Sequence, residues 1–210
     1  MQGMSYENYM RGYMCEIGKK LWQLGYTPCN AGNICVRLHD NVYLATPTGV
    51  EKGLLTPDMI LKIQYDADKP EEERITVLEH FEPYGLTSEI KCHLVAMNEF
   101  PNLNATIHAH APYAALFSML GKEHVTLPDN FAAVRDIPVV SWQKPGSWDL
   151  AYGNLEALRK LPKDKFCIMG LHGPFVIGKD LTDAYMIMQK IENSCQMAYL
   201  YNTYTAVVKD

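Results

Sequence analysis

The sequence lacks the features that would take it out of ordinary soluble globular proteins. It has no CxxC pair: Cys15, Cys29, Cys35, Cys92, Cys167 and Cys195 are scattered along the chain. Reduced thiols in a cytoplasmic protein are therefore expected. No apolar run approaches the ~20 residues of a membrane helix, and Met1–Tyr13 has no apolar signal-peptide core. No block of Lys or Arg stands out, and the formal net charge is −5, which argues against a nucleic-acid surface. A phosphorylated small molecule stays open, because a phosphate needs only a few well-placed donors. Internal repeats, low-complexity tracts and long Pro/Gly/Ser linkers are absent too. What remains is 210 residues, 48% apolar and 20% charged: the composition of one globular domain spanning residues 1–210. A chain of this size buries roughly 70% of its unfolded surface without disulfides.

Periodicity orders the elements. Tyr9, Met10, Tyr13, Met14, Ile17 and Leu21 recur at helical spacing, predicting a helix from Ser5 to Leu24 closed by Gly25. Ile34–Leu38 and Val42–Ala45 read as a hairpin around His39-Asp40-Asn41. Thr56-Pro57-Asp58 opens at most a short turn. Leu61–Tyr65 and Ile75–His80 read as strands around the acidic loop Asp66–Glu73. A helix is expected over Ser88–Phe100, a strand over Ala105–His110 and a helix over Pro112–Leu120. After a loop-rich stretch, Gly121–Asp136, come a strand at Ile137–Ser141 and a helix from Gly146 to Arg159. Strands at Phe166–Met169 and Phe175–Ile177, then a helix from Thr182 to about Thr203, close the chain. Hairpins mixed with separate helices predict an α/β domain in three layers, a mostly antiparallel sheet covered by helices.

The strongest local signal is Thr106-Ile107-His108-Ala109-His110. On a strand, residues i and i+2 share a face with Cα atoms about 6.6 Å apart, so both imidazoles can reach one metal at ~2.0–2.1 Å. An arbitrary HxH is as easily a solvent-facing pair. Here the segment is apolar and flanked by Pro101 and Pro112, and polar rings on a core strand need a partner. His172, in Gly170-Leu171-His172-Gly173-Pro174 between two apolar strands, is the candidate third ligand, although a lone histidine there is more often an ordinary turn residue. Glu89 follows Thr87-Ser88 at an expected helix start, where plain helix capping is an equal reading. Ala31-Gly32-Asn33 and Thr46-Pro47-Thr48-Gly49 suit anion binding through small polar side chains and free amides; simple turns are the commoner meaning of such motifs.

Taken in order, Gly-Asn, Thr-Pro-Thr-Gly, Thr-Ser-Glu, His-Ala-His and His-Gly resemble the class II aldolase and adducin head-domain family, over about residues 5–205. The resemblance implies zinc held by His108, His110 and His172, with Glu89 as acid–base residue and occasional metal ligand. It also implies a phosphate pocket of Asn33, Thr48, Gly49, Thr87 and Ser88. The implied activity is reversible cleavage of a ketose 1-phosphate, L-fuculose-1-phosphate-like, to dihydroxyacetone phosphate and a small aldehyde, in a cytoplasmic homotetramer. Same-fold dehydratases, decarboxylases and 4-epimerases are the alternatives, with a non-catalytic adducin-like interaction domain further off. The epimerases usually have Asp where this chain has Glu89, and adducin-like domains lack the histidine set. Fuculose-type aldolases resemble one another in a tyrosine lent by a neighbouring subunit; here Val125–Asp136 contains no Tyr, and Phe131 is its only aromatic residue. Two unrelated HxH folds fit less well. A cupin needs a Glu shortly after His110, where Ala111–Leu116 has none, and an amidohydrolase barrel needs ~250 residues.

Overall fold

The structure, a computed structural model, describes residues 5–121, 124–126, 134 and 136–208. In chain order these form α1 (Tyr6–Gln23), β1 (Asn33–His39), β2 (Val42–Ala45), β3 (Leu61–Tyr65), β4 (Ile75–Glu79), α2 (Ile90–Glu99) and β5 (Ala105–His108). There follow α3 (Pro112–Ser118), β6 (His124–Thr126), β7 (Asp136–Val140), α4 (Trp148–Arg159), β8 (Lys165–Met169), β9 (Gly173–Gly178) and α5 (Leu181–Val208). The described strands join in one sheet, ordered β4-β3-β2-β1-β5-β9-β8-β7-β6. Every pairing is antiparallel except that of β7 with β8.

Strand alternation sorts side chains to the two faces of the sheet. Ile34, Val36, Ile107 and Val176 face a core shared with Met14 and Leu21 of α1, Ala114 of α3 and Ile187 and Ile191 of α5. Their neighbours Cys35, Phe175 and Ile177 face the opposite core, shared with Leu94 and Met97 of α2 and Leu150 and Leu158 of α4. The result is the expected three-layer α/β domain. No helix of the described residues is long and apolar enough to cross a membrane.

Local chemistry accounts for the helix ends. The Ser5 side chain accepts the Asn8 amide at 3.2 Å to start α1. At its other end Gly25, at φ +73°, lets the amides of Gly25 and Tyr26 turn back to the carbonyls of Trp22 and Leu21, which is the hydrogen-bond pattern of a glycine C-cap. Ser147 caps α4 by accepting the Leu150 amide. The buried Glu192 of α5 accepts the amides of Tyr113 and Ala114, fixing the start of α3 directly after His110. Burial raises the Glu192 pKa, opposed by those two amides.

Three expectations need correction. The strand expected over Ala105–His110 ends at His108, because Ala109 and His110 turn away to bond Pro174 and Tyr26 through their amides. The stretch read as a loop, Gly121–Asp136, contains β6, paired with β7; its residues 127–133, including Phe131, lie outside the described residues. The closing helix runs five residues past Thr203, to Val208.

Candidate metal centre and active site

β5 is the central strand, with β1 on one side and β9 on the other. Its register sets Asn33 opposite His108 on one flank and Phe175 opposite it on the other. His108 is therefore wholly buried. His110 arrives from the loop after β5, and His172 from the turn between β8 and β9. That turn places Leu171 in the left-handed region at φ +55°. Gly173 is what lets it close against the β5 loop, since a Cβ there would run into the carbonyl oxygen of Ala109. Gly32, at φ +72°, does the same on the other side, where a Cβ would stand 2.9 Å from the His108 carbonyl.

The three rings meet at centroid distances of 5.0, 4.5 and 4.8 Å, and one nitrogen from each lies within 4.8 Å of the others. His108 Nδ1 lies 3.0 Å from the Pro174 carbonyl. A carbonyl can only accept, so Nδ1 carries the proton and Nε2 the lone pair. That Nε2 is buried and has no hydrogen-bond partner. A buried acceptor left unpaired is costly, and a metal cation would satisfy it. The carbonyl behind the ring is the outer-shell contact typical of metal-binding histidines. Burial, with the neighbouring histidines, drives the His108 pKa well below its ordinary value; burial also lowers His110 and His172. Neutral imidazoles are the form that binds metal. The donor set therefore fits a divalent ion that prefers nitrogen ligands.

Glu89 is buried at the N-terminus of α2 but makes no cap hydrogen bond. The plain capping reading of its position thus has no contact behind it. It is not one of the three side chains whose ligand atoms all lie within 4.8 Å of one another, but it lines the same pocket as His110 and His172. Its Oε2 accepts from Asn33 Nδ2 at 2.9 Å and from the Thr87 hydroxyl at 3.4 Å, and its Oε1 accepts from Ser88 at 2.7 Å. Asn33 and Thr87, read from sequence as phosphate contacts, thus also hold this carboxylate.

Behind Asn33 lies a residue that the sequence did not single out. Since Asn33 Nδ2 faces a carboxylate, Asn33 Oδ1 is the acceptor for His93 Nε2 at 2.5 Å. His93 Nδ1 is then left to accept the Thr106 hydroxyl at 2.7 Å. Burial drops the His93 pKa to about 3, which keeps the ring neutral. The only signal was spacing. His93 is one helical turn after Glu89, and Thr106 precedes His108 by two on the same strand face.

Histidines, carboxylate and loops open on one polar pocket of about 210 Å³. Asn33, Thr48, Thr87, Ser88, Glu89, His110 and His172 line it, and so does Lys52, also missed from sequence. Gly49 lies just outside the lining, at φ +77°, beside the Tyr84 ring.

Residues 13–199 match the family described as Class II Aldolase and Adducin N-terminal domain. The L-fuculose phosphate aldolase of Methanocaldococcus jannaschii is 30% identical over 190 residues, covering 88% of this chain and 93% of that protein. The 3-oxo-tetronate 4-phosphate decarboxylase of Pectobacterium atrosepticum is 28% identical over 209 residues, covering 94% of this chain and 87% of that protein. In fold, the chain is similar to the L-fuculose-1-phosphate aldolase of Thermus thermophilus, with a TM-score of 0.75 at 23% identity over 96% of this chain and 97% of that one.

Proposed function

Since the chain belongs to the Class II Aldolase and Adducin N-terminal domain family, we propose that it is a zinc-dependent aldolase. Its reaction is reversible cleavage of a ketose 1-phosphate, L-fuculose-1-phosphate-like, to dihydroxyacetone phosphate and a small aldehyde. The observation that carries this reading is the buried, unpaired Nε2 of His108, clustered with His110 and His172, which line one pocket with an anchored carboxylate. A divalent ion bound there supplies a Lewis acid that lowers the cost of developing negative charge by several kcal/mol. His108, His110 and His172 hold it and add no charge of their own. Glu89 delivers a proton to the carbon that loses the aldehyde and, in synthesis, removes it. Asn33, Thr87 and Ser88 aim that carboxylate through the hydrogen bonds it accepts, and with Thr48 and Gly49 they form the phosphate side of the site.

A second reading is decarboxylation of a 3-oxo sugar-acid phosphate. It is favoured by near-equal similarity to the named decarboxylase and the named aldolase. Both reactions break a carbon–carbon bond and leave negative charge beside a carbonyl, so the same histidines and carboxylate serve either. A non-catalytic, adducin-like role is disfavoured by the histidine set itself. The deciding experiment is a coupled assay for dihydroxyacetone phosphate across ketose phosphates, run beside carbon dioxide release from 3-oxo acid phosphates. Dihydroxyacetone phosphate from at least one ketose phosphate supports the aldolase; carbon dioxide alone rejects it in favour of the decarboxylase. On the family resemblance we also place the enzyme in the cytoplasm as a homotetramer. The exposed Tyr199, Tyr201 and Tyr204 of α5 are available for subunit contact, and light scattering checks the mass.

A further inference from the structure

We propose that Lys52 is the specificity residue that makes this pocket select a phosphorylated substrate, its ammonium serving as the charge partner of the phosphate. The proposal rests on reading the pocket as a sugar-phosphate site. Lys52 is 1% exposed, which is rare for a lysine without a carboxylate partner. Its Nζ makes two hydrogen bonds, to the carbonyls of Asn30 at 3.1 Å and Val50 at 2.6 Å. Asn30 immediately precedes residues 31–33 and Val50 immediately follows residues 46–49, the two loops whose small polar residues suit an anion. The ammonium therefore bridges both loops at the pocket wall.

An ammonium has three donors, and two are engaged, so one remains for a ligand. Lys52 is the one lysine or arginine among the residues that line the pocket. The Glu89 carboxyl stands in the same wall, so apart from a metal ion on the histidines, Lys52 is the cationic group that a phosphate dianion meets in this pocket. Burial pulls the Lys52 pKa down to about 8, opposed by the Glu89 carboxylate. The charged form is thus held at a desolvation cost that a bound anion offsets. An ammonium that only pinned two loops together would do so as well beside any ligand, phosphorylated or not. The alternatives therefore differ in what they predict for phosphate alone.

The test is calorimetric binding of inorganic phosphate, of unphosphorylated dihydroxyacetone and of zinc to the wild-type chain and to K52M. Lys52→Met keeps an unbranched side chain, one atom shorter, and removes the charge. We expect phosphate affinity to fall roughly ten- to a hundred-fold, the loss of one hydrogen bond to a charged group, with zinc and dihydroxyacetone affinities unchanged. K52Q, whose amide can still bond the loop carbonyls, decides the matter if K52M fails to fold, and the same pattern is expected of it. Unchanged phosphate affinity overturns the proposal. So does a loss that falls equally on zinc and dihydroxyacetone, or a wild-type chain that binds no phosphate. Selective loss of phosphate in a protein that shows no aldolase activity supports the role of Lys52 and overturns the aldolase reading instead.

Discussion

Replacing His93 by alanine removes a ring that touches no substrate, yet it should impair the site through Asn33. The wild-type ring donates from Nε2 to Asn33 Oδ1 and accepts the Thr106 hydroxyl at Nδ1. In the variant Asn33 Oδ1 becomes a buried acceptor with no donor, costing about 1–3 kcal/mol. Thr106 is less affected, because its hydroxyl can turn to the Cys35 carbonyl at 3.3 Å. The lost ring also leaves a gap against Phe175, whose centroid is 5.3 Å away, and large-to-small core changes cost roughly 2–5 kcal/mol. The total, about 3–8 kcal/mol, is a large part of the 5–15 kcal/mol typical of a domain, so a strongly weakened protein is expected, with turnover read on the fraction that stays folded. An unanchored Asn33 holds Glu89 less firmly, and misplacement of about 1 Å can cost on the order of 10²-fold in rate. His93→Gln, which can still donate to Asn33, should recover much of both losses. Denaturant unfolding, metal content and turnover on the three proteins provide the assay. Alanine and glutamine variants that are destabilised but turn over at the wild-type rate would refute the link from His93 to Glu89.

The wild type should carry roughly one metal per chain, and His108→Ala and His172→Ala should each lose it, since two remaining ligands rarely hold zinc; full occupancy by elemental analysis would contradict the assignment. Gly173→Ala should also lose metal affinity, because its Cβ pushes His172 away from the β5 loop; a metal titration equal to wild type would show that the turn gives way freely. The metal-free protein should lose stability as pH falls from about 6.5 towards 3. Folded His93 stays neutral down to about pH 3 while the unfolded chain takes up that proton near pH 6.5. Stability then drops by ~1.4 kcal/mol per pH unit for that group. His108, His110 and His172 are shifted the same way and steepen the slope. Unfolding curves across that range check this, and His93→Gln should flatten the slope.

The histidine cluster was legible because its pattern is local. Two histidines at i and i+2 and one between glycines can be read without knowing the packing, although the strand ends at His108 and a loop carries His110. The three layers were legible from alternation and helical spacing. His93 was not, since one histidine inside an apolar helix reads as core until β1 and β5 are known to pass beneath it. Lys52 was hidden for a similar reason. It lies in the short 3-10 turn Lys52–Leu54, next to charged Glu51, and it is buried by tertiary packing against Gly18 of α1 and the carbonyls of Asn30 and Val50. β6 was missed because a three-residue strand carries too little alternation to stand out.

The most direct test of the central claim is exchange of the carbon-bound proton of dihydroxyacetone phosphate with deuterated water. It needs no aldehyde partner and isolates the step assigned to Glu89. Metal-loaded wild-type protein should exchange this proton readily, and Glu89→Gln, which keeps size and metal, should be slower by roughly 10²–10⁴-fold. Wild-type protein that binds metal and phosphate yet exchanges no faster than the Glu89→Gln variant would contradict the aldolase assignment and move the decarboxylase into its place.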